Sequence, residues 1–232
     1  MRFDLDYFLS LLFSTRFFEP VAIVVIVAAI AMMIGIIVGT VGGIILNSPL
    51  PLLQRLVRLY VTTIRGVPVL VQIVFWYNGL PALTGGAINL SAYAAGIIAL
   101  GINEGAYMTE IVRSGIQSVD RGQREASQAL SLSYRSMMMK VILPQAVRIA
   151  IPPTGNQVVN LIKNTSLLFT IAIPEIFATG TNIFSANFKY FEVIAVVAIW
   201  YLLIAIGYGF IQRAVERRFA KGRRHLYDFA AA

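Results

Sequence analysis

The feature that most restricts this chain is a run over residues 21–46 that carries no charge and closes on Asn47-Ser48-Pro49. About 20 apolar residues in a helix cross the hydrocarbon of a bilayer, so this run alone is long enough to span one. Similar stretches follow at roughly 62–83, 91–112, 151–173 and 191–211. Composition agrees: 58% of the 232 residues are hydrophobic and 13% are charged, against about 45–50% and about 25% in soluble domains. These figures predict an all-α membrane protein with five transmembrane helices. Gly35, Gly39 and Gly43 recur at every fourth position of the first span. Such small-residue spacing lets a second helix approach closely, either within the subunit or between subunits.

Basic residues set the expected direction. With the N-terminus outside, Arg55, Arg58 and Arg65, then Arg113, Arg121, Arg124, Arg135, Lys140 and Arg148, fall on inner loops. The tail over 214–232 adds Arg217, Arg218, Lys221, Arg223 and Arg224, and Arg213 lies just before it. Only Arg2, Arg16 and Lys189 fall outside, and Lys163 lies within a span. Inner loops of membrane proteins carry such an excess of Lys and Arg, so an N-out, C-in topology is expected. The net charge of +8 is thereby placed on loops between apolar stretches, which argues against nucleic acid as a partner. Residues 1–20 lack the basic start and small-residue cleavage site of a signal peptide. Phe3, Tyr7 and Leu11 at helical spacing, beside Asp4 and Ser14, predict an interfacial helix there instead.

Several chemistries are excluded by what is missing. There is no cysteine, so neither disulfides nor thiolate chemistry is available. The only histidine, His225, sits in the basic tail, leaving no Ser–His pair within the membrane and no metal site. No G-x-x-x-x-G-K-[ST] phosphate loop occurs, so the chain cannot cradle ATP by that means. No catalytic residue and no cofactor is expected.

The loop over 114–150 is far longer than a connection between two spans needs. Glu125-Ala126-Ser127-Gln128-Ala129-Leu130 is strongly helix-forming, Ser131 and Ser133 interrupt it, and 134–142 is a second helical stretch. Leu143-Pro144 is expected to end that stretch, because the residue before proline is pushed out of the helical region. Two short helices joined at a bend make a compact knob. A pair of amphipathic helices on lipid headgroups would show the same pattern.

The run Glu125-Ala126-Ser127, then Ser131, Val141 and Leu143-Pro144, resembles the cytoplasmic Glu-Ala-Ala motif of ABC importer permeases. The family pattern has alanine at 127, glycine at 131 and isoleucine at 141. Serine at 131 makes a positive φ costlier, so either the turn is built without it or the bend is shifted. Arg65-Gly66-Val67-Pro68 with Gln72 resembles the second-span signature of the polar amino acid branch of those permeases. The stretches 106–116 and 161–167 are similar to that branch as well. The resemblance implies the type I importer architecture. It further implies docking of ATPase subunits on the loop through Glu125, Ala126, Ser127, Ala129, Ser131, Leu143 and Pro144. The implied partners are two ABC ATPase subunits, a second permease subunit (identical or paralogous), and a periplasmic or lipid-anchored amino acid-binding protein. The implied location is the bacterial inner membrane.

Two charges, Glu104 and Lys163, fall near the middle of spans. A charge at a helix centre costs roughly 2.5–3.5 kcal/mol on insertion scales, so such residues face a bundle interior or a watery path. Glu104 with Asn103 lies mid-span in the third helix, and Asn156, Asn160 and Lys163 or Asn164 make a polar stripe on the fourth. A zwitterionic amino acid needs an anion for its ammonium and a cation for its carboxylate. Glu104 and Lys163 are therefore expected to line a translocation path, with Asn160 and Thr165 supplying neutral hydrogen bonds. The alternatives are a structural Glu104–Lys163 ion pair, or Lys163 snorkelling. A stand-alone ion-coupled transporter or channel would also use these charges, but it leaves the long central loop unexplained and would call for an inverted repeat that is not visible.

Overall fold

The computed structural model describes residues 3–220. The distal basic tail, with Lys221, Arg223, Arg224 and His225, and also Arg2, lie outside the described residues. The elements are helices: α1 Leu5–Leu12, α2 Phe18–Leu46, α3 Pro51–Gly66, α4 Val69–Val74, α5 Leu80–Leu83, α6 Ala92–Gln117, α7 Arg121–Ala129, α8 Tyr134–Met137, α9 Leu143–Asn164, α10 Ile176–Asn187 and α11 Tyr190–Ala220. Among the described residues Thr15–Leu46 and Tyr190–Phe219 are each long and apolar enough to cross a bilayer, and the number rises to four if each of two bent helix pairs is counted as one span. Their outer faces leave Ile26, Met33, Ile37, Leu202, Leu203 and Ile206 exposed, a surface suited to lipid rather than water.

α6 is the central helix. Its small residues Ala95, Gly96, Ala99, Gly101, Gly105 and Ala106 are buried together with Asn103 and Glu104, so it is enclosed by its neighbours and has little need of an apolar exterior. α2 fits against it along the glycine seam. A Cβ on Gly35 would lie 2.7 Å from Glu104 Cβ, one on Gly39 would strike Met108, and one on Gly43 would lie 2.5 Å from Val112. The same seam runs the other way, with Gly105 receiving Val38 and Gly101 receiving Ile34. Position numbers rise together along both helices, so α2 and α6 are parallel. The small-residue face therefore packs within the subunit.

Prolines shape the remaining helices. The axes of Pro51–Gly66 and Val69–Leu83 meet at 103°, so the stretch 62–83 that the sequence suggests as one span is broken, with 62–66 on a different axis from 69–83. Pro68 lacks an N–H and disfavours helical backbone at the residue before it, and Val67 is extended (φ −103°, ψ 131°). Gln72 repairs the break: its Nε2 donates to Ile64 O and Val67 O, each at 2.9 Å.

Leu143-Pro144, by contrast, does not end a helix. The chain passes from α8 through a π turn at Met138–Ile142 directly into α9, and Leu143 stays helical (φ −60°, ψ −40°). A proline ring normally clashes with the carbonyl four residues back, here that of Lys140, which lies inside the widened turn. The same arrangement precedes Pro81, where Tyr77 lies in the π turn Phe75–Gly79. The expected fourth span likewise ends in a tighter Thr165–Ile171 turn, and the chain then bends by 51° into α10.

α1 is fastened to the start of α11. Asp4 caps α1 by accepting from Tyr7 N, and Lys189 Nζ donates to Asp4 Oδ2 at 2.6 Å while lying 4.1 Å from the Tyr7 ring centroid. Asn187 Nδ2 donates to Tyr7 Oη at 2.6 Å.

Candidate functional site

The helix break at Val67-Pro68 borders a half-open recess in the side of the bundle, in which Asn160 and Lys163 are exposed. A cavity of about 640 Å³ is walled by Arg65, Gly66, Val67, Pro68 and Val69 at the break, by Asn103, Glu104 and Tyr107 on α6, and by Gln157, Asn160, Lys163 and Asn164 on α9. Glu104 is only 2% exposed, and its Oε2 has no hydrogen-bond partner. A buried oxygen left unpaired is costly, so this carboxylate is set up to receive a donor from the cavity. Arg65 stands across from it, its guanidinium 5.0 Å from the Tyr107 ring centroid. Asn160 Nδ2 donates to Gln157 Oε1 at 3.0 Å.

Glu104 and Lys163 share this cavity but are not joined to each other. Among the described residues the salt bridges are Arg113–Glu110 and Lys189–Asp4, so the structural ion-pair alternative is not what the fold contains. Thr165 is a correction of another kind. It is fully buried, its hydroxyl donates to Ile162 O at 2.7 Å, and it is not part of the cavity wall. A threonine in a helix satisfies itself on its own backbone in this way. Gln72, from the second-span motif, stitches the break rather than lining the cavity. Tyr107 and Gln157 do line it, and sequence reasoning passed over both. Their signal was spacing: Tyr107 lies three residues after Glu104, and Gln157 three before Asn160.

The knob is a second cluster. Asp120 caps α7 by accepting from Gly122 N at 2.7 Å. The far end of α7 closes with Leu132 N donating to Ser127 O at 3.0 Å and Ser131 N to Gln128 O at 2.8 Å. This is the Schellman pattern, which places one residue in the left-handed region, usually glycine. Ser131 occupies that place, at φ +53°. The bend is therefore neither shifted nor built another way: the serine itself takes the strained conformation. Glu125, Ala126 and Ala129 are exposed, and Leu130 is 74% exposed. Ser127 departs from expectation: it is buried, and its hydroxyl donates to Gln123 O at 2.6 Å, so it faces away from the exposed surface. Beneath the knob Ile116, Val119, Met137, Met138, Ile142 and Ala146 form a small core, with Leu143 packed against it and Pro144 exposed.

Residues 31–221 match the family described as "Binding-protein-dependent transport system inner membrane component". The chain belongs to this family. It is similar to the probable amino-acid permease protein YxeN of Bacillus subtilis (strain 168), 40% identical over 89% of this chain and 92% of that one. The arginine transport system permease protein ArgU of Corynebacterium glutamicum is 37% identical over 94% of this chain and 72% of its own length. The glutamine transport system permease protein GlnP of Escherichia coli (strain K12) is 37% identical over 79% and 84% respectively. Among solved structures, a chain of an amino acid ABC transporter crystallised with histidines superposes with a TM-score of 0.85 at 30% identity, covering 94% of this chain and all of that one. A chain of an inward-facing MetNI methionine ABC transporter gives 0.63 at 19% identity and shares the fold.

Proposed function

We propose that this permease is the membrane-spanning subunit of an ATP-driven importer for polar amino acids. The observation that carries the reading is the conjunction of two sites in one chain: a cavity bearing unpaired charges of both signs, and an exposed two-helix knob. The first fits a zwitterion, Glu104 facing its ammonium, Lys163 its carboxylate, and Asn160 offering a neutral hydrogen bond. The second fits docking of a motor protein, through Glu125, Ala126, Ala129 and Ser131, with Leu143 and Pro144 at its base. This reading needs five spans running N-out to C-in in the bacterial inner membrane, α6 being the third. The parallel course of α2 and α6 is what spans one and three require.

The partners in this account are two ABC ATPase subunits, a second permease subunit, and an external amino acid-binding protein. ATP hydrolysis belongs to the ATPases, and this chain contributes the path and the lever. Closure of the ATPase pair moves the knob, and the helices walling the cavity reorient to open it alternately to each side.

The experiment is co-purification followed by substitution. ATPase subunits are expected to come down with the wild-type chain, and Glu125→Ala is expected to lower that association and ATP-driven uptake together. Retention of both in Glu125→Ala would remove Glu125 from the docking surface.

A further inference from the structure

The cavity has three walls, and the knob has a direct hold on two of them. It is continuous in the chain with α6, which carries Glu104, and with α9, which carries Lys163, and its core is built from both. The third wall, with Arg65 and Gly66, stands at the end of α3, which no covalent path through the knob reaches. One hydrogen bond among the described residues joins the knob to a helix outside segment 114–150: Tyr134 Oη donates to Asn47 O at 3.0 Å, across 87 positions of sequence.

Asn47 is the C-cap of α2. Carbonyls at a helix end have no partner within the helix, and this one is satisfied by the knob's tyrosine. The corner around it is stitched to α3 as one unit. Asn47 Nδ2 donates to Gly43 O at 2.8 Å, Ser48 Oγ to Ile45 O at 2.8 Å, and Gln54 Nε2, from α3, to Ser48 O at 2.5 Å.

We propose that Tyr134 is a positioning residue that ties the docking knob to the α2–α3 corner, so that displacement of the knob carries the Arg65 wall together with the Glu104 and Lys163 walls. The inference rests on the reading of the knob as an ATPase-docking element. Without the tether the knob still binds its motor and moves α6 and α9. The third wall then follows α6 only through Tyr60 Oη donating to Ile102 O at 2.6 Å and through the α2–α6 seam. The corner at Asn47 is no longer set by the knob, and hydrolysis runs without full transport.

The test uses the assembled transporter in proteoliposomes, with ATPase subunits and binding protein, and measures labelled amino acid taken up per ATP hydrolysed. Tyr134→Phe removes only the hydroxyl. It is expected to leave ATPase co-purification and binding-protein-stimulated hydrolysis unchanged while uptake per ATP falls roughly twofold, the low end of the range for one hydrogen bond, since this one is exposed. Because the natural chain has no cysteine, Asn47→Cys with Tyr134→Cys can be bridged by a cleavable dithiol-reactive linker. Bridging is expected to restore uptake per ATP, and cleavage to lower it again. Wild-type uptake per ATP in Tyr134→Phe, or failure of the bridge to restore it, would overturn the tether. Loss of ATPase co-purification in Tyr134→Phe would overturn it too, by making Tyr134 a docking contact. A wild-type assembly that shows no ATP-driven uptake would instead overturn the functional reading, and is seen before any variant is compared.

Discussion

Ser131 concentrates the residue-scale physics of the knob. A side chain in the left-handed region costs about 1–2 kcal/mol, while replacement by glycine adds unfolded-chain entropy worth about 0.4–1 kcal/mol. Ser131→Gly is therefore expected to stabilise the knob by up to about 1 kcal/mol, read as slower hydrogen exchange at Ser127 to Leu132. Ser131→Val, with a branched Cβ at positive φ, is expected to speed that exchange. In the cavity, Glu104→Gln and Lys163→Gln each remove one charge from a wall without changing its shape much. Each is expected to reduce uptake at least tenfold while leaving ATPase co-purification intact, since hydrogen bonds to charged groups contribute about 1.5–3 kcal/mol. Unchanged transport and substrate preference in both would remove them from the path. Glu104 and Lys163 were legible as members of this cavity because an ionisable residue inside a span needs a reason to be there; Arg65 was not, because its charge read as part of an inner loop. Thr165 and Ser127 were misread because a hydroxyl in a helix can be satisfied by the turn before it, and sequence alone does not show which way it turned.

At the scale of elements, the glycine seam and the proline breaks decide the arrangement. Gly39→Ala places a methyl against Met108, where neither backbone can retreat without opening the seam. It is expected to destabilise the chain by about 1–3 kcal/mol, measured as a lowered thermal midpoint in detergent. Gly207→Ala, whose Cβ meets nothing within 4 Å, serves as the silent comparison. The seam was readable from spacing, but its partner helix was not. The break at Pro68 was not read from the sequence, which ran one span over 62–83; its 103° angle depends on Gln72 and on the packing of α4 against α6. Pro144 was misjudged because the rule for the residue before proline is a preference that Leu143 overrides (φ −60°, ψ −40°), and the π turn widens the helix where the ring would meet the carbonyl of Lys140.

At the scale of the molecule, α1 is held to the start of α11 by charge as well as by packing. The Lys189 ammonium donating to Asp4 holds that carboxyl below its ordinary value of 3.8, and the same bond raises Lys189 above 10.5. The Asp4 contribution is thus present above pH 3.8 and lost as pH falls through its lowered folded value. The Lys189 contribution is present below pH 10.5 and lost as pH rises through its raised one. Protection of α1 amides, taken relative to the intrinsic exchange rate at each pH, is expected to hold between these limits and to fall beyond either, and Asp4→Asn to lower it throughout. The long apolar runs made the membrane-embedded helical character legible from sequence. The way three helices wall one cavity under a knob was not, because it follows from long-range contacts such as Tyr134 with Asn47.

The central claim is that this chain is a path driven from outside itself. Its most direct test is labelled amino acid uptake into proteoliposomes that hold either the chain alone or the chain with its ATPase subunits and binding protein. Uptake is predicted only in the complete assembly and only with ATP inside the vesicle's equivalent of the cytoplasm. Full uptake by the chain alone, driven by an ion gradient, would contradict the account.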